Sequence, residues 1–207
     1  QVHNEKGFTL IEIAIVMVII GLLAGGGVSL MGMLSERRIR NESADYLNEA
    51  KYVLTSFAKI NGRLPWADSD NDGDEDSGTI SGTLPYLTLG LKPKDANSRI
   101  IKYALNSSLG DPSTTCSALR VDLTGSPSLV DFDDPTATTL HFAAVLISAG
   151  PKDADNDGNV FDDITTGSYQ GDNRDGNPRY IRHPQIDNTF DDLVVYISGY
   201  SLYGEMC

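Results

Sequence analysis

Basic residues are scarce in this chain. Lys and Arg number 16 against 29 Asp and Glu, giving a net charge of −13. Nucleic-acid binding needs a cationic face, so that class of partner is not expected. Histidine is scarcer still, with three in 207 residues. His141 sits inside an apolar run and reads as a core or sheet residue, while His183 lies in the loop-like Arg182-His183-Pro184. No glycine-rich phosphate loop, nucleophile elbow or zinc spacing occurs. Paired acids such as Asp133-Asp134 are expected by chance in so acidic a chain, so no catalytic residue is assigned and the expectation is a protein that is not an enzyme. There are two cysteines, Cys116 and Cys207, and neither belongs to a CxxC pair. They are either two unrelated buried thiols or a disulfide formed in an oxidising compartment. The disulfide is the expectation, because a cysteine at a chain end has little packing purpose.

Charge is also missing from one long stretch. From Phe8 to Leu34 the only ionisable side chain is Glu12. As a helix this stretch is about 40 Å long, enough to cross a bilayer. Ahead of it lies the short polar segment Gln1-Val-His-Asn-Glu-Lys-Gly7. An ordinary secretory signal has an apolar run of only about 7–15 residues before a small-x-small cut. Ala24-Gly25-Gly26 imitates such a cut and would release a soluble secreted domain, but that reading leaves Glu12 unexplained. A carboxylate in a membrane helix costs about 2.5–3.5 kcal/mol and needs a partner. Cleavage after Gly7 would supply one, the new α-amine of Phe8, one helical turn away.

The run Lys6-Gly7-Phe8-Thr9-Leu10-Ile11-Glu12, with the apolar segment behind it, resembles the class III signal of type IV pilins and type II secretion pseudopilins. The resemblance implies cleavage after Gly7 and N-methylation of Phe8 by a prepilin peptidase. It implies that Glu12 neutralises the Phe8 amine of an adjoining subunit during assembly. Further implied are a single-pass precursor in the bacterial inner membrane with its domain outside, an inner-membrane assembly platform, and a periplasmic or cell-surface filament of this and other pilin-like subunits. Arg37, Arg38 and Arg40 oppose that orientation by the positive-inside rule, but long domains translocate largely regardless of charge. The expected divisions are a leader at 1–7, a transmembrane or filament-core helix at 8–34, an amphipathic helix at 35–62 and a β-rich extracytoplasmic domain at 63–207. The competing expectation is a secreted or membrane-anchored calcium-dependent binding module.

Ile39, Tyr46, Leu47, Ala50, Val53, Leu54, Phe57 and Ile60 recur at three- and four-residue steps and mark one apolar helix face. Asn61-Gly62 and Pro65 supply the stop. Beyond it, short β-rich runs at Arg99–Leu105, Ala118–Leu123, Leu140–Ser148 and Leu193–Ser198, with Tyr200–Tyr203 as a fifth, alternate with turn-rich connections. One long helix followed by strands reads as α+β, the helix packed on an antiparallel sheet. The pilin fold implied by the resemblance has the same plan.

Two loops set aspartates at alternate positions around a glycine. In the first these are Asp68, Asp70, Asp72, Asp74 and Asp76; in the second, Asp153, Asp155 and Asp157, followed by Asp162 and Asp163. Calcium takes six to eight hard oxygens, and this spacing turns carboxylates inward around a bend. The twelfth-position glutamate of an EF-hand is absent, Thr79 and Ile164 standing there. Calcium is therefore the expected cofactor, with Asp187, Asp191 or Asp192 as candidates to complete a site, against the plainer reading of solvated acidic turns.

Overall fold

A computed structural model describes residues 9–121, 123, 128–131, 140–153, 158–164, 171–173, 179–182 and 190–207. The chain divides into two compact units, residues 1–39 and 40–207. Helix α1 runs Leu10–Asn61. Between Leu10 and Leu34 its described apolar side chains all face outward, with Leu10 at 88 % and Met31 at 75 % exposure. Exposed on every side, such a helix cannot be burying its apolar surface within its own unit.

In the second unit α1 is amphipathic. Tyr46, Leu47, Ala50, Leu54 and Ala58 are buried, at the three- and four-residue spacing of one helical stripe. Ile60, expected on that face, is 82 % exposed. It stands six residues beyond Leu54, about 240° round the helix, and so points away from the core. The helix stops where Gly62 takes a left-handed φ of +71° and its N–H caps the Ala58 carbonyl at 2.8 Å.

The remaining elements are β1 (Ser81–Thr83), α2 (Tyr86–Leu89), β2 (Lys102–Leu105), α3 (Pro112–Arg120), β3 (Ser128–Asp131), β4 (Leu140–His141), β5 (Ala144–Ser148), β6 (Asp163–Ile164), β7 (Gly171–Asp172), β8 (Arg179–Arg182), β9 (Leu193–Ile197) and α4 (Gly199–Met206). The principal sheet is antiparallel, in the order β1-β2-β5-β9. Its partner β4-β3-β8 includes a parallel pair, β3 with β8, and β6-β7 form a short ribbon. The architecture is α+β: a long N-terminal helix, then a four-stranded antiparallel sheet, consistent with a pilin-like fold.

Strand β5 explains the layering. All five of its residues, Ala-Val-Leu-Ile-Ser, are buried, as expected of a strand covered on both faces. Ala144 and Leu146 join Leu47, Leu54, Tyr103 and Ile197 in the core beneath α1. Val145 and Ile147 face the other way, into a smaller core with Phe142 and Tyr180. The Leu140–Ser148 run is thus divided between β4 and β5, and His141 lies exposed in β4.

Two expected strands are helical instead. Residues 118–120 belong to α3, where Asp111 caps the Ser113 N–H at 2.8 Å and Pro112 takes the first turn. Residues 200–203 lie in α4, capped by Ser198 accepting from the Ser201 N–H at 3.1 Å. Both runs are too short for apolar periodicity to separate strand from helix, and the caps decide. The helices are joined by the expected disulfide, Cys116–Cys207, with Cα atoms 5.9 Å apart.

Candidate functional site

Glu12 sits on the third residue of α1, and Thr9 directly precedes the helix. The Glu12 carboxylate accepts from the Thr9 N–H and hydroxyl, both at 3.3 Å, while the Thr9 hydroxyl accepts from the Glu12 N–H at 3.4 Å. This reciprocal arrangement is a capping box, which satisfies donors that a helix start leaves open. Glu12 therefore has a partner within its own chain. Gly7 and Phe8 lie outside the described residues.

The first aspartate loop is held by its own amides. Asp68 is 1 % exposed, and its two oxygens accept from the N–H groups of Asp70 (3.1 Å), Asn71 (2.6 Å) and Gly73 (2.8 Å). Asp70 accepts in turn from the Asp72 N–H, and Asp72 from the Asp74 N–H. Asp76 accepts from the Ser69 hydroxyl and N–H, bonds that hold its carboxyl below its ordinary range. Asp68, Asp70 and Asp76 bring oxygens within 4.8 Å of one another; Asp72 and Asp74 are not in that group.

The second loop divides. Asp153 accepts from the Gly158 N–H at 2.9 Å. Asp155, Asp157 and Asp187 lie outside the described residues, as does the Asp163 side chain. Asp162 is fully buried and joins Asp191 and Asp192, one oxygen from each lying within 4.8 Å of the others. Asp162 accepts from the Asp191 N–H at 2.5 Å, and Asp192 from the Asp162 N–H at 3.1 Å and Asn173 Nδ2 at 2.9 Å. Asp191 accepts from the Lys152 N–H at 3.2 Å. Burial, with the Asp162 and Asp191 charges behind it, pushes the Asp192 carboxyl well above its ordinary value; burial raises Asp191 too.

The β5–β9 register explains this convergence. Ser148 pairs with Leu193, so Gly150, two residues on, comes opposite Asp191. A Cβ at Gly150 would fall 1.9 Å from Asp191 Oδ1, so only glycine leaves room for that carboxylate. Arg99 supports the turn by donating to the Gly150 and Pro151 carbonyls, each at 3.3 Å. Asn173 and Gly150 had no signal in the sequence, since neither belongs to a spaced motif and pairing alone brings them in.

Residues 2–28 match the family model described as the prokaryotic N-terminal methylation motif. The segment is a prepilin-type signal, as found in type IV pilins and pseudopilins. No curated protein and no solved structure matches the chain. The prepilin-type signal implies a membrane-anchored precursor, processing by prepilin peptidase and assembly into a pilus-like filament. Among the described residues no helix is long and apolar enough to cross a membrane.

A second polar device fixes the chain between α1 and the first loop. Arg63 donates to both Glu75 oxygens, at 2.7 and 2.6 Å, and the Trp66 N–H donates to the same carboxylate at 2.8 Å. Burial alone would raise the Glu75 value, but the bonds from Arg63 and Trp66 outweigh it and hold the carboxyl low. Glu75→Gln is expected to cost about 1–2 kcal/mol at neutral pH. Because the folded value is depressed, this stabilisation is complete above the ordinary glutamate value of about 4.3 and fades as pH falls through the lower folded one. Thermal melts of both proteins at falling pH should therefore converge in acid; a constant gap would contradict the assignment.

Proposed function

We propose that the chain is a structural subunit, a pilin or pseudopilin, of a type IV pilus or type II secretion pseudopilus. It is cut after Gly7, methylated at Phe8 and polymerised through α1. The observation that carries this reading is the prepilin-type signal at the head of a helix whose described apolar side chains between Leu10 and Leu34 are all exposed. A bilayer would cover such a helix before assembly and neighbouring subunits afterwards, through close packing that Gly21 and Gly25 permit. The Cys116–Cys207 disulfide supports a domain outside the cytoplasm, where such bonds persist. The precursor is then single-pass in the bacterial inner membrane, served by prepilin peptidase and an assembly platform, and its role is mechanical rather than enzymatic.

Intact-mass analysis of the protein from the cell envelope tests this. The expected mature chain begins at methylated Phe8. A mature start near Val28 or Ser29 would mean ordinary signal cleavage and a secreted binding module, and would end the filament reading.

A further inference from the structure

We propose that the outer edge of β9 is a docking site for an extended, acidic segment of another protein, which adds to the principal sheet as a further strand. In the order β1-β2-β5-β9, two strands lie at the margins. The β1 margin is three residues long and already covered, since Thr83 bridges to Asp68 across it. Strand β9 is the opposite case. Its sequence is Leu-Val-Val-Tyr-Ile, without a charge or a proline, and its first four residues are only half-buried. Among the described residues no strand pairs with its outer side. Proteins usually blunt such an edge with lysine, proline or a bulge, because its unpaired N–H and C=O groups recruit another strand. Here the strand itself carries none of these guards.

Charge decides what fits. A groove of about 330 Å³ runs along Val194, Val195 and Tyr196 and is lined as well by Lys51 and Arg182. Val195 packs against the core beneath α1, while Val194 and Tyr196 pack against the smaller core on the other face. Lys51 belongs to α1 and Arg182 to β8, so the two cations flank the edge from opposite faces of the sheet. The Arg182 guanidinium lies 5.5 Å from the centre of the Tyr196 ring. Among the described residues Lys51 makes no ion pair, although the chain carries 29 acidic side chains. Its neighbours at three- and four-residue helical steps, Leu47, Asn48, Leu54 and Thr55, are all uncharged. Successive side chains of an added strand point to alternate faces, so neighbouring carboxylates would meet Lys51 on one side and Arg182 on the other. Main-chain hydrogen bonds would supply the affinity, and the two cations the preference for acid. A second copy of this chain fits less well. Pairing β9 with β9 would bring two sets of these cations together, and like charges across a strand pair repel. The acidic loop at residues 68–76 cannot add as a strand either, because Asp68, Asp70 and Asp72 hold its amides in turns. This surface belongs to the second unit alone and does not rest on the filament reading.

The probe is a fluorescent, capped octapeptide that alternates valine with glutamate, titrated with the full chain in detergent and followed by anisotropy. One control peptide carries lysine in place of glutamate. Another keeps glutamate but is N-methylated at alternate residues, so it retains the charge and cannot pair. Saturable binding is expected of the valine–glutamate peptide alone, weakening as salt is added. It should slow hydrogen exchange at the amides of residues 193–197. Lys51→Glu/Arg182→Glu should weaken binding by at least about tenfold, since two attractions become two repulsions. Lys51→Glu alone should give a smaller loss in the same direction, which keeps the test open if the double variant does not fold. Lys94→Glu, outside the groove, should bind as the wild type does. The proposal would be overturned if the valine–glutamate peptide did not bind, or if either control peptide bound equally well. Wild-type affinity in the charge-reversed variants would overturn it too. So would β9 protection that grows with protein concentration in the absence of peptide, which would make a second copy the occupant.

Discussion

Glu12→Ala is expected to be cleaved and inserted normally yet to be almost absent from filaments, whereas Glu12→Gln divides the effect into two parts. In the proposed filament the Phe8 amine lies in an apolar core, where an unpaired charge costs about 2.5–3.5 kcal/mol even on the gentler insertion scale. At 1.4 kcal/mol per tenfold, incorporation should fall by roughly two orders of magnitude. The capping box adds a second contribution, because alanine at this position also leaves the Thr9 N–H without its acceptor. A cap of this kind is worth about 0.5–2 kcal/mol to the helix. Glutamine can occupy the third position of a capping box but carries no charge. The charge reading therefore requires Glu12→Gln to assemble nearly as poorly as Glu12→Ala. Quantifying sheared filaments against total envelope protein settles it: wild-type assembly of Glu12→Gln would leave Glu12 as a helix cap alone.

Breaking the Cys116–Cys207 bond should have the largest effect on stability. The bond spans a sequence separation of 91, and in the chain-entropy model a loop of that size contributes about 4–5 kcal/mol. That is a large share of the 5–15 kcal/mol available to a whole domain. Locally, the bond ties α4, anchored by the buried Leu202, to α3, anchored by Thr115 and Leu119. The Cys116→Ser/Cys207→Ser double variant, compared with the wild type by denaturant unfolding with and without reductant, measures the loss. A change below about 1 kcal/mol would show that α4 holds its place through packing, and reductant should have no effect on the double variant.

The parts legible in the sequence were those fixed by local chemistry. Asn61-Gly62 marked the end of α1 because glycine tolerates the left-handed turn that closes a helix. The apolar run Leu140–Ser148 marked a strand, though not that its residues 144–148 would be buried on both faces. The two cysteines, in a chain otherwise without any, could be paired with each other alone. What the sequence hid depends on pairing between distant segments. The parallel contact of β3 with β8 leaves no trace in either strand, and the convergence of Gly150 with Asp191 follows only from the β5–β9 register. Asp162 was visible as part of an acidic loop. Its separation from Asp153 was not, because spacing alone cannot tell a carboxylate that caps a turn from one that turns into the core.

The strand order of the principal sheet has a consequence for how the domain is made. Strand β5 sits between β2 and β9, and β9 comes from near the far end of the given sequence. Its inner edge therefore stays unsatisfied until residues 193–197 are available. Non-local pairing of this kind must meet the loop-closure cost before any contact repays it, which slows folding. Until then β5 is an open, apolar edge of the kind that pairs with the wrong chain. If the chain is delivered across a membrane from its N-terminal end, the helix arrives first and the strand that completes the sheet arrives late. Export would then find this domain still unfolded, in the state a narrow translocation channel requires, and would leave it dependent on protection from aggregation until β9 emerges.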